Sequence, residues 1–164
     1  MNKFLQYSQG ELIISTSGQQ MYEITKDLNT WLNKEQINHG QLTIFIQHTS
    51  ASLCIQENAS EDVIEDILHF FKKLVPENIS LYKHNLEGPD DMPAHIKSML
   101  TQTSLIIPIS NKKMNLGTWQ GIFLIEHRDS SLQRKINLTL MGELEKYNPF
   151  ISNLFSSERL CKSL

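Results

Sequence analysis

Residues 41–48 constrain the fold more than any other stretch, because apolar side chains alternate along them. In an extended strand, Leu42, Ile44 and Ile46 share one face, and Phe45 lies on the opposite face. Strands at the solvated side of a protein pair an apolar face with a polar one, whereas this segment has apolar residues on both faces. The pattern therefore predicts a central strand of a sheet.

The rest of the chain mixes further strands with helices. Apolar, β-branched runs predict strands over residues 3–16, 53–55, 105–109, 122–128 and 133–141. Apolar residues at helical spacing predict helices over residues 20–34, 60–75 and 92–100. Because the elements lack regular β-α-β alternation, we expect an α+β fold: a compact single domain with a mixed, mainly antiparallel sheet and two to three helices.

Length and charge bound the organisation and the partners. The 164 residues fit one domain, which we place at residues 1–143, with a C-terminal tail or short docking helix over residues 144–164. With a net charge of −3, the chain has no overall positive charge that would attract nucleic acid or an anionic membrane. Two cysteines, no signal-peptide pattern and no membrane-spanning run lead us to expect a cytoplasmic protein with no nucleic-acid or membrane partner.

Residues 84–97 concentrate reactive side chains: two histidines and three carboxylates, together with two prolines and one glycine. Glycine and proline steer the backbone, while imidazole and carboxylate bind metals or move protons near neutral pH. Asp91 and His95 are four residues apart and so share one face of a helix. Asp91 either fixes the tautomer of His95 or shares a cation with it, and the alternative is that Asp91 only caps the helix.

Three histidines come at the ends of regular elements, each on the apolar side. They are His48, His95 and His127. Such ends often converge at one edge of a sheet, and three neutral imidazoles with one open position form a catalytic zinc site. The alternatives are a core histidine with one partner for His48 and an exposed strand end for His127.

Neighbouring polar residues are candidates for contacts with a substrate. Backbone amides near Gly117 can cradle an anion, and Lys97 and Arg128 can supply positive charge for a phosphate. Trp119 and Gln120 suit a flat ring, although Trp119 suits a core position equally well. The full set of predicted substrate contacts is Thr49, Ser50, His84, Glu87, Lys97, Gly117, Thr118, Trp119 and Gln120. For Thr49 and Ser50 the alternative is a place in a turn, and for His84 and Glu87 it is support of other site residues.

Four segments, in this order, resemble the YjbQ-like family, also called secondary thiamine-phosphate synthases. They are HTSASL at residues 48–53, EGPDDMPAHIK at 87–97, LGTWQG at 116–121 and EHR at 126–128. The resemblance covers the chain up to about residue 142 and implies an α+β homotrimer. It also implies a polar pocket near subunit boundaries, built from His48, Asp91, His95, Gln120 and His127.

The resemblance further implies a transferase that forms thiamine phosphate. A hydroxymethylpyrimidine diphosphate joins a thiazole phosphate, and pyrophosphate leaves, in what is a weak or secondary activity of the family. We assign catalytic roles to Asp91, His95 and Arg128, with a divalent metal held by His48, His95 and His127. Imidazole ligands favour zinc over magnesium as that cofactor.

Two other functions fit the same residues. A three-histidine zinc site also suits water activation, so a zinc-dependent hydrolase is one alternative. The second alternative is a non-catalytic trimeric binding module for a metal or a small phosphorylated metabolite.

Overall fold

Eight strands and three helices make up residues 5–144, the part of the chain that the computed structural model describes. The strands are β1 Leu5–Ser17, β2 Gln20–Glu23, β3 Ile37–Ile46, β4 Ala51–Glu57, β5 Ser104–Ser110, β6 Lys113–Met114, β7 Gln120–Glu126 and β8 Ser131–Leu144. The helices are α1 Thr25–Leu32, α2 Glu61–Leu74 and α3 Asp91–Leu100, with a 3-10 turn at Ile79–Leu81. The predicted tail lies outside the described residues, apart from Leu144.

The strands form two sheets. The larger sheet has the order β1-β8-β3-β5-β6, and the smaller has the order β2-β7-β4. Each pair of neighbouring strands among the described residues is antiparallel. The α+β prediction is confirmed, and β3 lies between β8 and β5, as its alternation predicted.

The main core combines the inner face of the larger sheet with the smaller sheet and α1. Leu42, Ile44 and Ile46 of β3 are buried in one apolar cluster with Leu124 of β7 and Leu28 of α1. Burial of each such side chain contributes about 1.5–3 kcal/mol to folding. This cluster holds the two sheets face to face, and the antiparallel pairing of β4 with β7 places Glu126 opposite Ala51.

The outer face of the larger sheet is uncovered within the described chain. Its exposed apolar residues, which we call the open sheet face, are Tyr7, Ile13, Phe45, Ile106 and Met141. Phe45 gives β3 its second apolar face, and among residues 5–144 no layer covers that face. Tyr7 and Met141 pair directly across β1 and β8, while the other three are separated from them by polar residues such as Thr43 and Lys135.

The predicted helix over residues 20–34 begins later than expected, because its first turn is a strand. Gln20–Glu23 pairs with β7, and Met21 is buried against Phe123 and Ile125. The helix starts at Thr25 and buries Leu28 and Leu32, as the helical spacing predicted. Met21 fits both a helical and a strand pattern of apolar residues, and its pairing with β7 places it in a strand.

Helix α2 lies on the outer face of the smaller sheet. Its apolar side chains Ile64, Ile67 and Leu68 pack on the cluster of Met21, Phe123 and Ile125, yet none of the helix is fully buried. The sequence predicted a buried stripe here, and the structure leaves it half-buried. No helix among residues 5–144 has the length and apolar character needed to cross a membrane.

The segment before α3 has a backbone that glycine makes possible. Gly88 has a φ of +117°, a conformation that other residues rarely adopt. Asp90 and Asp91 follow it at the start of α3, and Pro93 occupies the first turn of the helix. The glycine and proline therefore hold the two carboxylates at the end of the smaller sheet.

Candidate metal centre

Helix α3 and the segment before it bring His84, Asp91 and His95 together. Nε2 of His84 lies 2.7 Å from Oδ2 of Asp91, and Nε2 of His95 lies 3.7 Å from the same oxygen. One ligand atom from each of the three residues lies within 4.8 Å of the others. Asp91 is 3% exposed and His95 is 34% exposed, so a buried carboxylate meets imidazoles that solvent can reach.

A backbone contact orients His95. Its Nδ1 lies 3.1 Å from the carbonyl oxygen of Thr49, which can only accept a hydrogen bond, so Nδ1 carries the proton. The lone pair of the neutral ring is then on Nε2, which faces Asp91. Metal-binding histidines usually donate their second N–H in this way. Thr49 therefore contributes through its backbone, and its side chain remains exposed.

Arg128 clamps the two carboxylates from the end of β7. It donates from Nε to Oδ2 of Asp90 at 2.9 Å, from Nη1 to Asp91, and from Nη2 to the carbonyl oxygen of Glu87 at 2.8 Å. Burial lowers the pKa of Arg128, but the two carboxylates outweigh it and raise that pKa overall. Burial likewise opposes ionisation of Asp90, and the hydrogen bonds from Asp129 N and Arg128 hold the pKa of Asp90 below its ordinary value.

A buried ion pair supports this clamp from the core. Arg134 of β8 donates from Nε and Nη2 to the Glu126 carboxylate at 2.7 and 2.6 Å, and Thr16 donates to the same group. Glu126 also accepts a hydrogen bond from Arg128 N. Burial alone raises the pKa of Glu126, but these donors hold it below its ordinary value.

Sequence reasoning missed this pair, although a signal was present. Glu126 and Arg134 fall on the inward side of otherwise apolar strands, as do Leu124 and Ile136. Two opposite charges on inward positions of different strands predict a buried pair, because an isolated buried charge is too costly to retain.

The structure does not assemble the predicted set of His48, His95 and His127. Nε2 of His48 accepts a hydrogen bond from the backbone of Lys135 at 2.8 Å, and Nε2 of His127 lies 2.9 Å from Oγ of Ser52. The group within reach of one ion among the described residues is His84, Asp91 and His95. His127 lies with Ile125 on the α2 side of the smaller sheet. The imidazoles that follow β3 and β7 therefore have separate partners and do not meet at one ion.

Several predicted substrate contacts also lie elsewhere in this chain. Residues 117–119 precede β7 and Gln120 begins it, while Arg128 follows it, and a strand of 7 residues separates such ends by about 20 Å. Gln120 accepts a hydrogen bond from Gly117 N at 2.7 Å, and Trp119 is 64% exposed. Ser50 accepts hydrogen bonds from Arg134 and so belongs to the buried pair. Lys97 lines a different cleft, on the α2 side of α3.

The donors at the centre suit a transition metal. Two imidazole nitrogens and one carboxylate oxygen are typical zinc ligands, whereas magnesium prefers oxygen ligands and water. Ligands of a tetrahedral zinc are about 3.3 Å apart, given bond lengths near 2.0–2.1 Å. The 3.7 Å separation of Asp91 and His95 is close to this value, and the 2.7 Å separation of His84 and Asp91 is that of a hydrogen bond, which a metal would replace.

Known proteins similar to this chain share most of its length. The family described as UPF0047 protein YjbQ-like matches residues 10–143. A UPF0047 protein of Synechocystis is 47% identical over 133 residues, which is 81% of this chain and 90% of that protein. The UPF0047 protein YjbQ of Escherichia coli O157:H7 is 42% identical over 136 residues, covering 82% of this chain and 98% of the relative.

Solved structures agree with the fold described above. A YbjQ-like protein of unknown function from Sulfolobus solfataricus superposes with a TM-score of 0.78 at 27% identity, covering 85% of this chain and all of the other. A YjbQ/UPF0047 family protein from Clostridium acetobutylicum has a TM-score of 0.73 at 36% identity, covering 79% of this chain and 98% of its own.

Proposed function

Since this chain belongs to the UPF0047 protein YjbQ-like family, we propose that it is a metal-dependent enzyme for small phosphorylated metabolites, acting at the His84, Asp91 and His95 centre. Formation of thiamine phosphate is the specific reaction that we propose. The observation that carries the proposal is the orientation of His95: a backbone carbonyl holds one nitrogen, and the other faces a buried carboxylate. Solvent exposure of both imidazoles leaves room for a substrate.

In the proposed reaction, the thiazole nitrogen attacks the methylene carbon of the pyrimidine as its bond to the diphosphate breaks. Pyrophosphate leaves with the bonding electrons, so negative charge develops on the leaving group. A bound divalent metal would supply positive charge for that group. No proton has to be removed from the nucleophile, so neither imidazole needs to act as a base.

Arg128 has a positioning role in this proposal. Its Nε, Nη1 and Nη2 already donate to Asp90, Asp91 and the Glu87 carbonyl. It therefore fixes the carboxylate that faces the histidines and adds positive charge at the centre. Glu87 contributes through its backbone carbonyl.

The test is product formation from the two precursors with zinc present. We expect thiamine phosphate with the unchanged protein and a rate at least about 100-fold lower with His95→Ala, because loss of a ligand exceeds the 10–100-fold cost of losing a partner of one. The matched control is His48→Gln, which lies outside the centre and should retain the rate. An unchanged rate in folded His95→Ala protein would contradict the assignment of the site. Zinc binding without turnover of either precursor would favour the non-catalytic binding module over the enzyme.

A zinc-dependent hydrolase is the second candidate, and the same donor set favours it. Two histidines and one carboxylate leave coordination positions open for a water molecule. Hydrolysis of p-nitrophenyl phosphate that requires zinc and fails in His95→Ala, without thiamine phosphate formation, would favour the hydrolase over the transferase.

The open sheet face supports a homotrimer, which is the assembly that we propose. Ile106 is exposed, so Ile106→Glu should leave the isolated chain folded. In the assembly, however, it would bury a charge without a partner, and we expect the trimer to dissociate to monomers. Light scattering coupled to size-exclusion chromatography measures the mass of the assembly. Lys73→Glu, at an exposed position of α2, is the control for added negative charge. A trimer that persists in Ile106→Glu would place the interface elsewhere.

A further inference from the structure

A second cleft lies on the other side of α3 from the metal centre. It has a volume of about 440 Å³ and is bounded by α2, α3 and the smaller sheet. Sites for small ligands occupy about 300–1,000 Å³ and combine apolar walls with a few polar groups. Six residues of its lining matter below: Gln19, Leu68, Phe71, Lys97, Ile125 and His127.

Lys97 is a buried cation with donor capacity to spare. Its side chain is 3% exposed, and its Nζ donates a hydrogen bond to Oε1 of Gln19 at 2.8 Å. Oε1 of Glu77 lies 4.0 Å from the same nitrogen, at the limit of an ion pair. Among the described residues, the bond to Gln19 is the one hydrogen bond of this ammonium, which has three N–H groups.

The carboxylates nearest Lys97 hydrogen-bond to Gln19 and not to the ammonium. Nε2 of Gln19 donates to Glu77 at 2.6 Å and to Asp129 at 3.0 Å. Glu126 is held by Arg134. Glu65 and Lys72 line the rim, where both are exposed and offset each other in charge. The interior of the cleft therefore offers a donor from Lys97 that lacks a close acceptor.

The other walls are neutral or apolar. Burial lowers the pKa of His127 to about 3, so its ring is uncharged at neutral pH and contacts Ser52. Leu68, Phe71 and Ile125 supply apolar surface. Phe71 and Ile125 also line an apolar groove of about 400 Å³ with Met21 and Cys54, so space remains unfilled beneath α2, a helix without a fully buried residue.

We propose that this cleft binds a small organic anion, whose carboxylate or phosphate accepts hydrogen bonds from Lys97 and whose apolar body packs against Phe71 and Ile125. The cleft is separate from the metal centre, and the proposal does not depend on the function proposed above. The anionic head completes the hydrogen bonds of a buried ammonium, and the apolar body fills the space beneath α2.

The test is a ligand-detected NMR titration with three probes: benzoate, phenyl phosphate and the neutral isostere benzamide. We expect saturable binding of benzoate or phenyl phosphate, at least about tenfold tighter than benzamide, and the preferred probe tells carboxylate from phosphate. Lys97→Met should weaken that binding about 10–100-fold, the usual effect of a hydrogen bond to a charged group. Leu68→Trp fills the cleft from α2 and retains the charge of Lys97, and we expect no saturable binding in this variant.

Two controls separate this site from others. Lys34→Met removes an exposed lysine and should leave binding unchanged, and His95→Ala should leave it unchanged because the metal centre is not involved. The proposal would be overturned if benzamide bound as tightly as the anions, or if no probe showed saturable binding. It would also be overturned by unchanged affinity in Lys97→Met and Leu68→Trp, or by loss of binding in His95→Ala.

Discussion

Replacing His84 by alanine is expected to lower zinc affinity by at least about 100-fold, because it removes one of three ligands and loss of a ligand's partner alone costs 10–100-fold. His84 is half-exposed and contributes no core packing, so the variant should fold as the unchanged protein does. Competition with a chromophoric zinc chelator measures the affinity.

The matched variant is His48→Gln, because His48 belongs to the set that the sequence predicted and lies outside the centre that the structure forms. Glutamine can still accept the hydrogen bond from the backbone of Lys135, so the change is confined to the imidazole. We expect its zinc affinity to be unchanged. Loss of affinity in His48→Gln together with normal binding in His84→Ala would restore the three-histidine site.

Replacing Glu126 by glutamine is expected to lower the free energy of unfolding by about 3–5 kcal/mol, because it leaves the buried Arg134 guanidinium without its partner. Both side chains are buried, and the pair links the two sheets. Urea unfolding followed by circular dichroism measures the change. The variant Glu126→Met with Arg134→Met removes both charges and should recover most of the stability. An equal loss in both proteins would contradict this prediction, because it would show that an unpaired Arg134 is not the cause of the loss.

The same pair sets a dependence on pH. The pKa of Glu126 is lower in the folded state than its ordinary value of 4.5, so the folded state favours the ionised carboxylate. Its contribution is fully present above pH 4.5 and is lost as the pH falls through the lower, folded-state pKa. The stability difference between the unchanged protein and Glu126→Gln should therefore narrow below pH 4.5.

Local patterns predicted the elements, and contacts between distant segments decided the exceptions. The alternation around Ile44 located β3 correctly within its sheet, and the stripe of Leu28 and Leu32 located α1. Met21 was assigned to that helix because its spacing fits, and only pairing with β7 shows it to be in a strand. Such pairing joins residues about a hundred positions apart, and the local periodicity of apolar residues carries no information about it.

The centre was predicted in part for a related reason. Asp91 and His95 belong to one helix, so their spacing alone brought them together, and the structure places them side by side. His84 precedes the helix in an irregular segment, and its position depends on the turn at Gly88. His127 was assigned to the centre because it ends a strand, but the side of the sheet it faces depends on the layers above and below.

Four successive residues at the end of β7 and just after it face three different surroundings. Glu126 lies in the core between the sheets, Arg128 contacts Asp91 at the metal centre, and His127 and Asp129 line the cleft under α2. Adding or deleting one residue just before this stretch would exchange the sides of the carboxylate and the imidazole, which would then face the wrong partners. The number of residues in this segment is therefore as constrained as their identity. We expect insertions and circular permutation to be tolerated at other places in the molecule.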